Sequence, residues 1–292
     1  MALLGFSWDI PVLVEEVFFG LAAGLFIIAA LLSLRNQANN TMIIRFGYIG
    51  AAVLSILGLV TLVAELGRPE RAAYAINNLL ILGTSVMSRT VPILLAFTVL
   101  SVITSLFWTM PSKAVKVRRV FEVLGLASAF PAGMQAGILL MAASKRPLWN
   151  TPILPYLYLF TGILAAIGLY GIVLSRTRTS YEKNLSLLSS MTYYSMFLII
   201  VSALATVVHL VAVEVPEAVL TLFANPFPLA APTFLIGYIL VGLVFPAAHA
   251  YLAYTAKEPL SRNIMLRFYI SLIIGAVALR ASFLYAGQLY FR

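Results

Sequence analysis

Eight long apolar runs follow one another along almost the whole of this 292-residue chain. Their approximate bounds are 11–34, 42–66, 91–110, 117–143, 152–174, 185–213, 228–254 and 264–289. About 20 helical residues cross the hydrocarbon layer of a bilayer, and each run reaches that length. A backbone that faces lipid has to satisfy its own hydrogen bonds, so such continuous runs predict helices and not the short alternating segments of a β-barrel.

The composition of the protein agrees with eight membrane-spanning helices. Hydrophobic residues make up 62% of the sequence and charged residues only 10%, whereas soluble domains carry about 25% charged residues. We therefore predict an all-α integral membrane protein, with eight transmembrane helices in halves that resemble four-helix bundles. Residues 1–292 are expected to form a single polytopic domain.

The basic residues are distributed unevenly over the connecting segments. Of the 19 Lys and Arg residues, twelve fall in the loops that follow odd-numbered spans, six fall on the other side, and Arg280 lies inside the eighth span. The positive-inside rule places the first side in the cytoplasm, with both termini outside. The net charge of +9 is then a topology signal, and we do not expect nucleic-acid binding.

Two residue counts limit the redox chemistry of the protein. It contains no cysteine, which excludes cysteine-ligated zinc, iron–sulfur clusters and disulfides within it. His209 lies near the outer end of the sixth span and His249 near the inner end of the seventh, about 20 Å apart in depth. We expect no bis-histidine haem and no metal site, so a redox carrier would be organic and lipid-soluble or would belong to another subunit.

Ionisable side chains inside a membrane are costly, so each is a candidate functional residue. Most of them are predicted to lie at the outer ends of the spans: Glu15, Glu16, Glu65, His209, Glu214 and Arg280. They predict a polar pocket or a proton uptake route that opens outward, and the alternative is that helix-end side chains snorkel to the interface. Arg280, about three turns deep, needs a carboxylate or carbonyl partner, and Glu65 and Glu16 are the candidates.

Two other features have structural explanations. Glu122 follows Arg118 and Arg119 by one helical turn, which predicts an i, i+3 or i, i+4 ion pair. Gly20 and Gly24 share one face of the first span, a spacing that is typical of close helix packing.

The stretch AELGRPERA (64–72) marks the end of the second span. Gly67 and Pro69 are the residue types that end a helix. That explanation leaves Glu65 and Arg68 without a role, and the predicted topology places both on the outer face.

Four sequence stretches resemble the NrfD-like family, whose best-known type is the membrane subunit of polysulfide reductase. They are VFFGLAAG in the first span, LGRPERAAY after the second, GILLMAASKRPLWNTPILPYLYLFTGILAA across the fourth and fifth, and ALRASFLYAGQ in the eighth. Their order and spacing match the family over essentially the whole sequence.

The resemblance implies a location, partners and a carrier. The protein would be a multi-pass protein of the prokaryotic cytoplasmic membrane, where it anchors a four-cluster ferredoxin-like iron–sulfur subunit with a molybdopterin catalytic subunit beyond it. A quinone, of the menaquinone type or ubiquinone, would bind near the face where the iron–sulfur subunit docks. Electrons would pass between the quinone pool and that partner, with no haem in this subunit and with the catalytic centre of the enzyme elsewhere.

The resemblance also assigns residues. Glu65 takes the acidic position before LGRP, and Arg280 takes the arginine of the last-span motif. Where family members often have YTG in the fourth span, this sequence reads MQAG, so Gln135 replaces a tyrosine that is implicated in holding a quinone oxygen. An amide can donate a hydrogen bond to a quinone carbonyl but cannot act as a phenolic acid. The polar residue near the start of the first span would be Glu16 or Glu15.

These assignments give three predicted groups of site residues. Proton relay and charge pairing are assigned to Glu65, Glu16 and Arg280. Quinone binding is assigned to Gln135, Glu16, Glu65, Met134, Met87 and His209. Docking of the partner subunit is assigned to Arg68, Arg71, Arg89 and Trp149, the last as an anchor at the membrane interface.

A secondary transporter of protons or small anions is the alternative from another functional class, because it also uses carboxylates inside the membrane. The sequence shows no convincing inverted repeat and no pair of interrupted spans, which counts against it. Proton pumping coupled to quinone turnover is compatible with the first hypothesis, and Ser101, Thr104, Ser105 and Tyr251 are candidates for a polar path to the cytoplasm.

Overall fold

The computed structural model describes residues 10–35, 41–65, 86–110, 115–143, 145–223, 230–256 and 260–289, without the side chains of residues 65, 86–88 and 289. The described residues form eight long helices and two short ones. They are α1 (Ile10–Arg35), α2 (Thr41–Glu65), α3 (Val86–Thr109), α4 (Val115–Met141), α5 (Leu154–Leu174), the short α6 (Arg178–Lys183), α7 (Leu185–Ala212), the short α8 (Pro216–Leu220), α9 (Ala230–Thr255) and α10 (Arg262–Leu289).

All eight predicted spans are confirmed as helices that are long and apolar enough to cross a membrane. The largest difference in their bounds is at α3, which begins at Val86, five residues before the predicted start. The polar stretch MSRT resembles a loop in sequence, but it forms the first turns of α3. Met87 and Arg89 are therefore helical residues and not loop residues.

The first compact unit, residues 1–143, is a ring of four helices. Contacts run from α1 to α2, from α2 to α3, from α3 to α4 and from α4 back to α1. Gly58 of α2 and Gly125 of α4 give room to phenylalanines of α1, because a Cβ atom there would lie 2.7 Å from Phe19 and 2.2 Å from Phe26. The predicted four-helix half is confirmed for this unit.

The second compact unit, residues 144–292, repeats the same ring. Its contacts run from α5 to α7, from α7 to α9, from α9 to α10 and from α10 back to α5. Gly242 of α9 and Gly275 of α10 bring two backbones together, because a Cβ atom on Gly242 would lie 2.4 Å from Cα of Gly275. This unit is also a four-helix half, as predicted.

The middle of α9 has a wider turn than the other spans. Its Thr233–Val244 segment is a π-helix, and the backbone N–H of Phe245 donates to the carbonyl of Leu240, five residues earlier. Pro246 follows and brings no N–H group to the helical ladder. Long π-helices are rare, and no sequence pattern considered above predicts one here.

Candidate functional site

Most of the predicted site residues of the first unit belong to one end of its ring. Phe19 meets Gly58 and Ser33 hydrogen-bonds Glu122, so α1 runs antiparallel to α2 and α4. The start of α1, the end of α2, the start of α3 and the end of α4 therefore share one end of the unit. We call this the acidic end, because Glu15, Glu16 and Glu65 belong to it.

Glu15 and Glu16 lie in the second turn of α1 and are both buried, at 1% and 2% exposure. Burial of an ionised carboxylate without compensation is costly, so each group has to be neutral or supported by polar partners. The sequence left open which of the two faces the interior. The structure buries both.

Gln135 of α4 is buried at the acidic end, as Glu16 of α1 is. Phe26 of α1 contacts Gly125 of α4. Counted from this contact toward the acidic end, Glu16 is ten residues away on α1 and Gln135 ten residues away on α4, which is about 15 Å along each helix axis. Gln135 is 2% exposed, and no described group hydrogen-bonds its Oε1 atom. Met134 beside it is half-buried.

The remaining predicted residues of the acidic end are described only in part. Glu65 is the last residue of α2 and Met87 lies in the first turn of α3, but the side chains of both are outside the described residues. Arg89 is exposed on α3. Arg68 and Arg71 lie outside the described residues, so their docking role stays a prediction.

The opposite end of the first unit contains a buried carboxylate with several donors. Glu122 Oε2 lies 3.1 Å from Arg119 Nη1 and accepts a hydrogen bond from Ser33 Oγ at 3.0 Å. Its Oε1 lies 3.5 Å from Arg118 Nε and accepts from Trp108 Nε1 at 2.7 Å. The predicted ion pair is confirmed, and it is present at both spacings. Ser33 and Trp108, which link the carboxylate to α1 and α3, were not predicted, because nothing in the sequence brings those helices to Glu122.

Arg280 is the buried charge of the second unit, at 2% exposure. Its guanidinium donates to the carbonyl oxygen of Tyr158 at 2.9 Å, to that of Ala276 at 3.0 Å and to Thr161 Oγ1 at 3.2 Å. It also lies 5.1 Å from the centre of the Tyr158 ring. Of the two predicted kinds of partner, carbonyl oxygens are present. A charge pairing with Glu16 or Glu65 stays a prediction.

His209 lies at the end of α7, fully buried within the second unit. Its Nδ1 is 2.5 Å from Thr151 Oγ1, and its ring packs against Phe283 with 4.9 Å between the centroids. The histidine therefore connects α7 with the segment before α5 and with α10. Its predicted contact with a quinone is not tested by this geometry.

Trp149 is 1% exposed, although the sequence suggested an anchor at the membrane interface. Its indole Nε1 donates to the carbonyl of Phe283 at 2.7 Å, and Gly287 is needed there, because a Cβ atom would lie 1.9 Å from that nitrogen. Arg146 stacks over the indole at 4.9 Å and donates to the Gly287 carbonyl at 2.9 Å. Partial burial lowers the pKa of Arg146 from its ordinary value, and a guanidinium remains charged at physiological pH.

The two histidines lie in different parts of the second unit. His249 Nδ1 is 2.8 Å from the carbonyl oxygen of Phe245 within α9, whereas His209 contacts Thr151 at the end of α7. Within the part of the protein that the structure describes, His, Asp and Glu do not gather in a group of three that could hold a metal ion.

Comparison with known proteins identifies the family. The sequence matches the family described as "Polysulphide reductase, NrfD" over residues 4–292. It is also 28% identical over 310 aligned residues to the C subunit of polysulfide reductase from Wolinella succinogenes, an alignment that covers 97% of this protein and 95% of the relative. The resemblance of the four sequence stretches is thereby confirmed, and the protein belongs to the NrfD family.

Proposed function

We propose that this protein is the quinone-reactive membrane anchor of a multi-subunit respiratory oxidoreductase that resembles polysulfide reductase. The quinone head group would bind at the acidic end of the first unit. The observation that carries the proposal is Gln135, a buried amide at the same end of the unit as Glu16, whose Oε1 atom no described group hydrogen-bonds. A buried polar atom of this kind is uncommon in a folded protein, and it suits a ligand that brings its own hydrogen-bonding group.

The side chain of Gln135 suits both redox states of a quinone. A primary amide has an N–H donor and an oxygen acceptor, which exchange places when the group turns about its last torsion. The N–H would donate to a quinone carbonyl, and Oε1 would accept from a quinol hydroxyl. The tyrosine of many family members offers both functions through one hydroxyl, so glutamine replaces its hydrogen bonding but not its acidity.

The carboxyl groups of the acidic end would handle the protons. Oxidation of a quinol to a quinone releases two electrons and two protons together, and reduction takes them up. A carboxyl group within reach of the quinol oxygen can act as a general base and pass the proton outward. Glu16 and Glu15 are buried at the same end of the unit as Gln135, and Glu65 ends α2 there.

The electrons would leave through a partner subunit. Since the sequence has no cysteine, it offers no thiolate ligands for an iron–sulfur cluster. The relative is the C subunit of polysulfide reductase, and its name indicates one subunit of a larger enzyme. We therefore propose an iron–sulfur subunit on the acidic end, with a molybdopterin subunit beyond it, and we assign the docking to Arg68, Arg71 and Arg89. Trp149 is buried, so it would help by holding the 145–153 segment.

The test removes the amide and leaves the rest of the complex intact. In the purified complex, Gln135→Ala should lower quinol-dependent electron transfer about three- to tenfold, the value of one hydrogen bond. Transfer from an artificial donor directly to the partner subunit should be unchanged, and so should the content of bound partner. Gln135→Glu, which keeps the length of the side chain and an oxygen acceptor, should lose less in quinol oxidation.

The matched control is Gln288→Ala, which removes a buried amide from α10 of the second unit, where Gln288 Nε2 donates to the carbonyl of Leu284 at 3.2 Å. It should leave quinol turnover per intact complex unchanged. Glu65→Gln tests the carboxylate in the same assay. Normal quinol turnover in both Gln135→Ala and Glu65→Gln would overturn the assignment of the site. A protein that purifies without an iron–sulfur partner and moves protons or small anions on its own would favour the transporter.

A further inference from the structure

The second unit contains a cavity far from its buried arginine, at the end where α7 begins and α9 ends. Its inner space is about 40 Å³, and it widens into an open mouth that brings the volume to about 390 Å³. Hydroxyl-bearing side chains line one part of it, and Leu188 and Met265 contribute to the apolar remainder. The hydroxyl groups are those of Tyr181, Ser189, Thr192 and Tyr193.

The cavity lies near the ends of two spans, where the boundary between head groups and acyl chains is expected. Thr192 is seven residues into α7, about 10 Å along its axis, and Tyr181 belongs to the short helix α6 that precedes this span. Tyr193 is exposed and meets the ring of Tyr254 edge-on, with 6.0 Å between the centroids. Exposed tyrosines are typical of this level of a membrane.

Tyr181 fixes the wall of the cavity that faces away from the lipid. Its hydroxyl donates to the carbonyl of Leu260 at 2.5 Å, which ties α6 to the segment before α10. Burial raises the pKa of the Tyr181 hydroxyl from its ordinary value, so the group remains a protonated donor at neutral pH. The wall is therefore a built part of the fold, with Ser189 and Tyr193 at its exposed rim.

Basic residues are close in sequence to the residues that line this cavity. Lys183 follows Tyr181 by two residues, and Arg262 precedes Met265 by three, so both cations stand within a helical turn of residues that line it. The charged residues described at this end of the unit are Arg176, Arg178, Lys183, Arg262, Arg267 and Glu182. Of the five cations, Arg178 is paired with Glu182 at 3.0 Å.

We propose that the cavity is a binding site for one anionic phospholipid. The phosphate would lie by Lys183 and Arg262, and the glycerol ester oxygens would accept hydrogen bonds from Ser189 and Tyr193. An acyl chain would follow the apolar wall toward the bilayer. Because cations outnumber anions at this end of the unit, an anionic lipid should bind more tightly than a zwitterionic one. Each Lys or Arg near the membrane surface adds to the attraction for an anionic head group. A free phosphate ion would use the cations but not the apolar wall.

Native mass spectrometry of the full-length protein in detergent tests the proposal. Phosphatidylglycerol and phosphatidylcholine with the same acyl groups would be titrated separately. We expect one tightly retained phosphatidylglycerol and no comparable phosphatidylcholine. Lys183→Gln and Arg262→Gln should each weaken retention of phosphatidylglycerol about fivefold. Ala253→Trp, which places an indole at the wall of the cavity, should abolish it.

Two control variants test whether phosphatidylglycerol is retained by this cavity or by general attraction to the basic surface of the protein. Arg45→Gln removes an exposed cation from the first unit, and Leu204→Trp adds an indole to the exposed face of α7. Neither should change phosphatidylglycerol retention. Equal loss in Arg45→Gln, or displacement of the lipid by a short-chain quinone, would overturn the proposal. Lys183 is exposed and Arg262 half-buried, so these two variants remain decisive even where Ala253→Trp fails to fold.

Discussion

Glu122 and Arg280 are both buried charges, one in each four-helix unit, but they are stabilised in different ways. The groups around Glu122 are side chains from three helices: Arg119, Trp108 and Ser33 donate hydrogen bonds to it, and Arg118 forms an ion pair with it. The acceptors of Arg280 are the main-chain carbonyls of Tyr158 and Ala276, together with the hydroxyl of Thr161. The same ring of four helices therefore accommodates a buried anion through side chains and a buried cation mainly through the backbone.

The difference follows from what each charge needs. A carboxylate needs N–H or O–H donors, and in a membrane helix the backbone N–H groups are already used by the helix itself, so the donors have to be side chains. A guanidinium needs acceptors, and a backbone carbonyl has a second lone pair that the helical hydrogen bond leaves available. The described acceptors of Arg280 therefore belong to α5 and α10, and these hydrogen bonds link the two helices.

Gln135 is a third buried polar side chain, at the acidic end of the first unit, and no described group hydrogen-bonds its Oε1 atom. We call a polar group saturated here where its described hydrogen bonds link helices, and open where an acceptor has no described donor. If saturated groups stabilise the fold and an open acceptor serves a ligand, changes at the three positions should separate stability from quinol turnover.

The largest effect is expected for Arg280→Ala. It removes the donor of three buried hydrogen bonds and opens a void between α5 and α10, so the free energy of unfolding should fall by about 3–5 kcal/mol. The midpoint of thermal unfolding in detergent measures this. Arg267→Ala, an exposed cation on the same helix, should change the midpoint little. A variant that is as stable as the wild type but oxidises no quinol would assign Arg280 to the site instead of the fold.

A smaller effect is expected for Glu122→Gln. The change keeps the shape of the side chain but leaves two guanidinium groups without a counter-charge, at a cost of about 2–3 kcal/mol. The matched control is Glu182→Gln, which breaks an exposed ion pair with Arg178 and should cost less than about 0.5 kcal/mol. Quinol turnover per intact complex should be unchanged in both variants. Reduced turnover in a stable Glu122→Gln complex would indicate a role in proton movement.

Features that depend on a single segment were predicted from the sequence, and contacts between helices were not. The eight spans were found because length and hydrophobicity belong to each segment alone, and the pairing of Glu122 with Arg118 and Arg119 was found because all three share one helix. Trp108 and Ser33 were missed because their contact with Glu122 depends on which helices are neighbours. The acceptors of Arg280 on α5 lie about 120 residues away in sequence, and no local pattern identifies them.

For the candidate site, the sequence identified Glu15 and Glu16 as ionisable residues inside an apolar span. It left open which of them faces the interior, and the structure buries both. The open Oε1 of Gln135 was not predictable, because it depends on what the neighbouring helices do not supply. The π-helical segment of α9 was not predicted either, because long π-helices are rare and no sequence pattern indicates this one.

Gln135→Leu should change stability least and should separate the effect on stability most clearly from the effect on quinol turnover. Replacing a buried polar group whose acceptor no described residue satisfies by an apolar group of similar size should leave the free energy of unfolding unchanged or raise it by up to about 1 kcal/mol. Quinol-dependent turnover should nevertheless fall at least as far as in Gln135→Ala, because the amide would serve the ligand and not the fold. Gln288→Leu, which removes an amide that donates to the Leu284 carbonyl, should behave in the opposite way, with lower stability and normal turnover per intact complex. If the thermal midpoint falls for Gln135→Leu as much as for Gln288→Leu, the Gln135 amide supports the fold. The distinction between saturated and open polar groups would then not hold for Gln135.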